Sequence, residues 1–394
     1  MIYDGAARVM HRAAWLAAML PFAALLAVWP GAGRAQPAAG QPIAVGLSNA
    51  MTGQFALDGR WMREGVELAI KEINASGGIK GRPLQLFVED DQGPNPTAAG
   101  NAVTKLATQD HVVAMIGPHY SPAILGVEPL LANYQVPALS AASGPLVTAQ
   151  GNKFVFRMRV NDNVIGALYV HYLIHDLHWQ NIGIDYVNTA FGQGGFGALK
   201  AELDAEHVAP LAVQTHLDST KDFTPQLLAF KQAGVKGLIL WSDDVPTSLL
   251  CKQIRTLGLD FEIAGQASLQ APNVFALSGD AIEGAYAIGE YISNNPDPVV
   301  QDWVKRYHAA YGADPELFAS VYYDAANVLA AAMKRATEMT GPAIQKALTG
   351  TTGFRGVITT YTWSPGGDMA HSALITHNEH QKPVIVKIVS EQHD

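Results

Sequence analysis

HVVAMIGPHYSPAILGVEPLLANYQVPALSAASGP, residues 111–145, holds two short apolar runs, 112–116 and 136–139, with a helix-compatible segment, 122–134, between them. Each run ends in a turn rich in small hydroxyl residues: Gly117-Pro118-His119-Tyr120-Ser121 after the first, Ser140-Ala141-Ala142-Ser143-Gly144 after the second. Ser121 stands where the N-cap of the helix belongs. Strand, loop, helix, strand, loop is the order of a parallel βαβ unit. Both loops then lie at the carboxyl ends of neighbouring strands, where open α/β folds hold ligands. The stretch therefore reads as one wall of a site that holds a small carboxylate without transforming it.

Working outward, the same alternation continues on both sides. Apolar strands at 43–47 and 84–88 precede helical segments at 59–74 and 95–109; Val66, Ala69, Ile70 and Ile73 share one face of the first. After a strand at 154–158 the series restarts. It runs as helix 164–177, strand 182–187, helix 194–206, strand 211–214, helix 223–233, strand 237–241, helix 245–257 and strand 261–264. Two successive βα series of similar size predict two parallel-sheet lobes with helices on both faces. From residue 299 the pattern is helical (299–311, 317–337, 342–348), and the end reads as short strands at 356–363, 373–377 and 384–389.

The amino end reads differently. Arg8, His11 and Arg12 precede an apolar run, 13–29, and Gly33-Arg34-Ala35 is a small-x-small cleavage site, so residues 1–35 read as a secretory signal peptide; Met10 offers a second start. No Cys follows the cleavage site, and there is no twin-Arg pair. The remaining 359 residues carry 23 basic and 34 acidic side chains, a net charge of −11. So acidic a chain is a poor partner for nucleic acid or anionic lipid. Cys251 is the only cysteine, which excludes an internal disulfide, and its helical surroundings predict a buried thiol.

At this point a resemblance enters. Ala50-Met51-Thr52-Gly53 followed by GVELAIKEINASGGIKG (65–81), the Asp90-Asp91 turn, Ile116-Gly117 with Ser121, Pro137 with Ser140, the Phe191-Gly192-Gln193-Gly194 turn and YYDAANVL (322–329) resemble the substrate-binding receptors of branched-chain amino-acid ABC transporters. The match runs from about residue 43 to 387. It implies a type I periplasmic binding fold: α/β, two Rossmann-like lobes with parallel sheets joined by a three-strand hinge. By the same resemblance lobe one is 41–159 plus 288–363, and lobe two is 160–287 plus 364–394. Such a receptor works as a monomer in the periplasm, closes on its ligand, delivers it to an ABC permease, and needs no cofactor.

Ser121 is the first candidate contact, because a hydroxyl at a helix N-terminus sits beside unpaired N–H groups and the positive end of the dipole. The resemblance adds Ala142, Ser143 and Gly144 as the second carboxylate-binding turn, although leucine-binding members usually have Thr at the position of Gly144. Phe191 matches an aromatic cover over the ligand. Asp243 and Asp244, after the 237–241 strand, could meet an ammonium. The acid that pairs with the amine in leucine-binding members is replaced here by Ala267. Either Asp243, Asp244 or Asp58 supplies the countercharge, or the ligand is an aromatic carboxylate without an amine, suited by Phe191 and Phe318. Both readings stay open, as does a sensing module with the same cleft.

Three other signals are weaker. Residues 192–197 match the dinucleotide fingerprint G-x-G-x-x-G, with Asp218 after the next strand, but four residues separate the preceding strand from the first Gly. They read instead as a helix entrance needing little bulk. His171, His175 and His178 fall on one helical face and read as a solvated helix end; no metal site is expected. No nucleophile elbow occurs, and no catalytic group set is visible.

Overall fold

The computed structural model describes residues 40–391. The expected signal peptide, 1–35, lies outside the described residues. The first five strands form one parallel sheet: β1 (Ile43–Asn49), β2 (Leu84–Asp90), β3 (Ala114–Ile116), β4 (Ala138–Ser140) and β5 (Val155–Arg157), in the order β2-β1-β3-β4-β5. Between them run α1 (Ala56–Ala75), α2 (Pro96–Thr108), α3 (Ser121–Tyr134) and the short α4 (Leu146–Ala149). The helix α1 buries Met62, Val66, Ala69, Ile70 and Ile73, the stripe its sequence spacing dictates.

The second series comprises α5 (Asp162–His171), β6 (Ile182–Val187), α6 (Ala190–Ala205), β7 (Ala212–His216), α7 (Thr224–Ala233), β8 (Gly237–Trp241), α8 (Asp244–Thr256) and β9 (Glu262–Gly265). It goes on through α9 (Pro272–Ser278) to β10 (Tyr286–Gly289). The chain then returns to the first lobe as α10 (Pro298–Tyr311), α11 (Leu317–Arg335) and α12 (Gly341–Leu348). The helix α11 lies so close to α1 that a Cβ on Gly65 would sit 2.1 Å from the Ala319 carbonyl oxygen. The small β11 (Phe354–Arg355) and β12 (Thr360–Tyr361) pair with each other, and β13 (Ser372–Glu379) and β14 (Lys382–Ser390) complete the second sheet, β14-β13-β10-β9-β8-β6-β7. Two lobes with parallel sheets result as expected; in these two sheets antiparallel pairing is confined to β10–β13 and β13–β14, at one edge of the second.

One expectation changes and another is met. The strand read at 356–363 shrinks to β12, paired with β11; residues 356–359 form a tight turn, because the buried Asp324 carboxylate accepts the N–H groups of Val357 and Ile358 and the Tyr361 hydroxyl. The fingerprint glycines, 192–197, lie inside α6. A Cβ on Gly192 would meet the Val187 carbonyl oxygen at 1.8 Å, and one on Gly195 the Trp241 indole at 2.0 Å. Their absence of bulk lets the helix press on its own sheet.

The chain passes between lobes three times, and buried ion pairs join the passages. Arg157 donates to Asp368 at 2.8 Å, and Arg159 donates to Glu290 at 2.9 Å.

Candidate functional site

A cleft of about 380 Å³ opens between the two sets of strand ends. The first lobe supplies its wall from the turns after β3 and β4. Tyr120, not Ser121, holds the N-cap position of α3, in extended backbone and without a side-chain cap; Ser121 is the first helical residue. The Ser121 hydroxyl oxygen accepts the Gly144 N–H at 3.3 Å, so it joins the two turns and does not cap its own helix. The backbone N–H groups of Ser121 and Ser143 have no partner among the described residues.

Ala142 and Ser143 line this wall beside Ser121. The Ser143 hydroxyl donates to Asp162 at 3.2 Å, tying the turn to the start of α5. Gly144 is not on the wall. A Cβ there would stand 2.7 Å from the Ser121 hydroxyl oxygen, so a side chain at this position would displace that hydroxyl.

Phe191, Asp243, Asp244 and Ala267 line the opposite side, from α6, the amino end of α8 and the turn after β9. Asp58, in the first turn of α1, joins them from the first lobe and accepts the Tyr120 hydroxyl at 2.8 Å. Phe318 lines the floor, its ring centroid 4.5 Å from that of His119. All the site residues expected from sequence except Gly144 therefore meet at one cleft.

The cleft is acidic. Burial, and then the Asp244 charge, push the Asp58 carboxyl up to about 8, against the Tyr120 hydrogen bond. Burial also raises Asp243 well above the usual range, and the Asp218 carboxyl beside it adds to the effect. Asp244 is raised by burial against contacts from Asn273 and Ser268; its Oδ2 oxygen is buried with no partner among the described residues. Glu316 is likewise raised well above its ordinary value by burial, although it accepts the Ala319 N–H at the head of α11. Arg159 is the one buried cation among the described lining residues. Burial works against its charge, but Glu290 holds it charged. His119 is kept neutral, its pKa lowered to about 3 by burial and then by Arg159.

Tyr120, Arg159, Glu316 and His119 were not singled out from the sequence. Tyr120 and His119 adjoin Ser121 in the turn quoted first, which is a usable signal. Arg159 and Glu316 come from distant segments and give none.

Two other expectations have clear outcomes. Cys251 is buried in α8, and burial pushes its thiol up to about 12. His178 leaves the helical face of His171 and His175, because the helix ends before it and its backbone is left-handed, φ 58°.

Residues 42–379 match the family model described as periplasmic binding protein. The chain is 27% identical to the Leu/Ile/Val-binding protein homolog 1 of Brucella suis, over 83% of this chain and 87% of that one. Its fold is similar to the branched-chain amino acid transporter substrate binding protein of Streptococcus pneumoniae in complex with isoleucine. That structure gives a TM-score of 0.82 at 21% identity, covering 89% of this chain and all of the other. It is equally similar to an ABC transporter solute binding protein from R. palustris in complex with benzoate, with TM-score 0.81 at 20% identity, covering 89% and 96%. With most of its length matched, and with two lobes facing each other across a lined cleft, the chain belongs to the periplasmic binding protein family.

Proposed function

We propose that this chain is an extracytoplasmic receptor that captures a zwitterionic amino acid between its lobes and delivers it to an ABC permease. The observation that carries the reading is the cluster of carboxyls in the cleft. Asp58, Asp243, Asp244 and Glu316 face a single buried cation, Arg159, which Glu290 already answers. Burial disfavours the ionised form of each of these carboxyls; an ammonium placed among them offsets that cost and lets them ionise, which a purely anionic ligand cannot do.

The ligand carboxylate belongs at the Ser121 hydroxyl and the N–H groups of Ser121 and Ser143, with the α3 dipole behind them. Ala142 leaves the backbone open to it, and Gly144 keeps Ser121 in place. The ammonium belongs at Asp58 and Asp244, with the Asp243–Asp218 pair beneath. This arrangement makes an acid at Ala267 unnecessary. Phe191 and Phe318 cover an apolar side chain, in keeping with the Leu/Ile/Val-binding name of the Brucella relative. In this reading the lobes are 41–159 with 288–363 and 160–287 with 364–394. Residues 1–35 direct export to the periplasm, and the chain acts as a monomer with no catalytic group of its own.

A second reading is an aromatic carboxylate without an amine. Ala267, Phe191 and Phe318 favour it, as does the benzoate complex of the R. palustris neighbour. A thermal-shift screen separates the two, because a ligand that binds the native state raises the midpoint. Leucine or valine raising it, with benzoate silent, is the expected result. Benzoate alone would install the second reading, and silence from every carboxylate would remove the site. Ser121→Ala should weaken the bound ligand about tenfold, the worth of one charge-assisted hydrogen bond, and should lower the unliganded midpoint modestly, because the buried Gly144 N–H loses its acceptor.

A further inference from the structure

Away from the cleft, the second lobe brings together three groups that the receptor reading leaves unused. The helix α5 continues into one π turn, Tyr172–Asp176, closed by the Leu177 N–H on the Tyr172 carbonyl oxygen at 3.2 Å. His171 and His175 stand one turn apart on this end, with ring centroids 4.4 Å apart. Glu206, the residue that ends α6, meets them from the neighbouring helix. Its Oε1 lies 2.9 Å from His175 Nε2 and 3.8 Å from His171 Nδ1. One potential donor atom from each residue falls within 4.8 Å of the other two.

We propose that His171, His175 and Glu206 form a binding site for a divalent ion of the zinc class, which staples the ends of α5 and α6 together. Two imidazoles and a carboxylate are a donor set that suits zinc and disfavours magnesium or calcium. In a tetrahedral site with bonds near 2.1 Å, donor atoms stand roughly 3.3 Å apart. The two His–Glu separations bracket that value, and all three donor atoms lie within 4.8 Å of one another, so side-chain shifts alone can bring them to one ion. The surrounding backbone favours a cation as well, since the carboxyl ends of two helices converge here with their partial negative charge. The His171 and His175 side chains are 60% and 47% exposed, so the ion has an open path, and a fourth position is left for water. None of the three residues lines the cleft, so the staple acts independently of the amino-acid site.

The test uses the exported chain without an affinity tag, freed of metal by chelator, and titrates it calorimetrically with zinc chloride and separately with magnesium chloride. The expected result is saturation at about one zinc per chain with a micromolar dissociation constant and no magnesium heat. His175→Ala and Glu206→Gln should each weaken zinc at least about tenfold. These side chains are exposed or partly exposed, so the metal-free thermal midpoints should match wild type, which keeps loss of binding distinct from loss of fold. Zinc should raise the wild-type midpoint and leave that of His171→Ala/His175→Ala unmoved. No saturable zinc uptake below about 1 mM would overturn the assignment, and so would uptake that survives the double substitution.

Discussion

Asp58 shows how one side chain can set both the affinity and the pH response of this receptor. Its carboxyl rises from 3.8 to about 8 on folding, chiefly through burial and then through Asp244. Between those two values the folded chain keeps a proton that the unfolded chain releases, so this group's contribution to stability falls as pH rises through that window. The unliganded melting midpoint should therefore decline from about pH 5 to about pH 8, and Asp58→Asn should flatten the decline and raise the midpoint at the alkaline end. Amino-acid affinity should move the other way in the wild type, increasing towards pH 8 as Asp58 ionises opposite the ammonium. Asp58→Asn should cost about 2–5 kcal/mol of binding, the range for truncating one partner of a buried charged pair. A variant that keeps both the wild-type slope and the wild-type affinity would remove Asp58 from the ammonium site. The hydroxyl turns around Ser121 and Ser143 were legible in the sequence because each turn is contiguous. The carboxyl cluster was only partly so. Asp58, Asp244 and Glu316 are far apart along the chain, and no local pattern records that folding brings them together.

At the scale of elements, α6 is the part whose sequence most invited a different function. Its glycines serve two surfaces. Gly192 and Gly195 admit the helix against Val187 and Trp241 of its own lobe, whereas a Cβ on Gly194 would stand 2.7 Å from the Pro145 ring of the other lobe. Gly194 thus marks where the lobes meet beside the carboxylate wall. Gly194→Leu should leave the second lobe intact or slightly firmer, since replacing a helical glycine gains roughly 0.5–1 kcal/mol of helix propensity. The same side chain should wedge the lobes apart and lower ligand affinity at least about tenfold, mostly by faster release. Equal release rates in stopped-flow displacement would show that closure does not need this contact. The alternation of strands and helices was readable because each buried strand is a short apolar run and each helix shows an apolar stripe. Among the exceptions, α9 and β10 lie in 266–297, where Pro, Gly and polar residues interrupt the runs and the segments are only seven and four residues long. There the tertiary partners, β9 and β13, decide the conformation.

At the scale of the molecule, what fixes one lobe relative to the other is a pair of ion pairs that no single segment contains. Arg157, at the end of β5, holds Asp368 from the third passage, and its guanidinium also donates to the Ser143 and Gly144 carbonyl oxygens of the carboxylate wall. Arg159 holds Glu290, just beyond β10, and the Val160 N–H reaches the same carboxylate at 3.2 Å. The three passages are thereby bound to one another at the edge of the cleft, and the cation nearest the acidic cluster is anchored by the hinge. Buried pairs of this kind add little net stability over apolar replacements, but breaking one leaves a charge stranded. Glu290→Ala should therefore cost about 3–5 kcal/mol in urea unfolding, because Arg159 then sits buried without its partner. It should also weaken amino-acid binding, since the released guanidinium turns towards the carboxyls that the ammonium needs. Replacing both members, Arg159→Met with Glu290→Leu, should recover most of the lost stability, because the pair's desolvation cost disappears along with its attraction. Recovery of stability without recovery of affinity would show that Arg159 is placed for the ligand as well as for the hinge. If the double variant is no more stable than Glu290→Ala, the pair does not act as a unit and the passages are held by their backbone pairing alone.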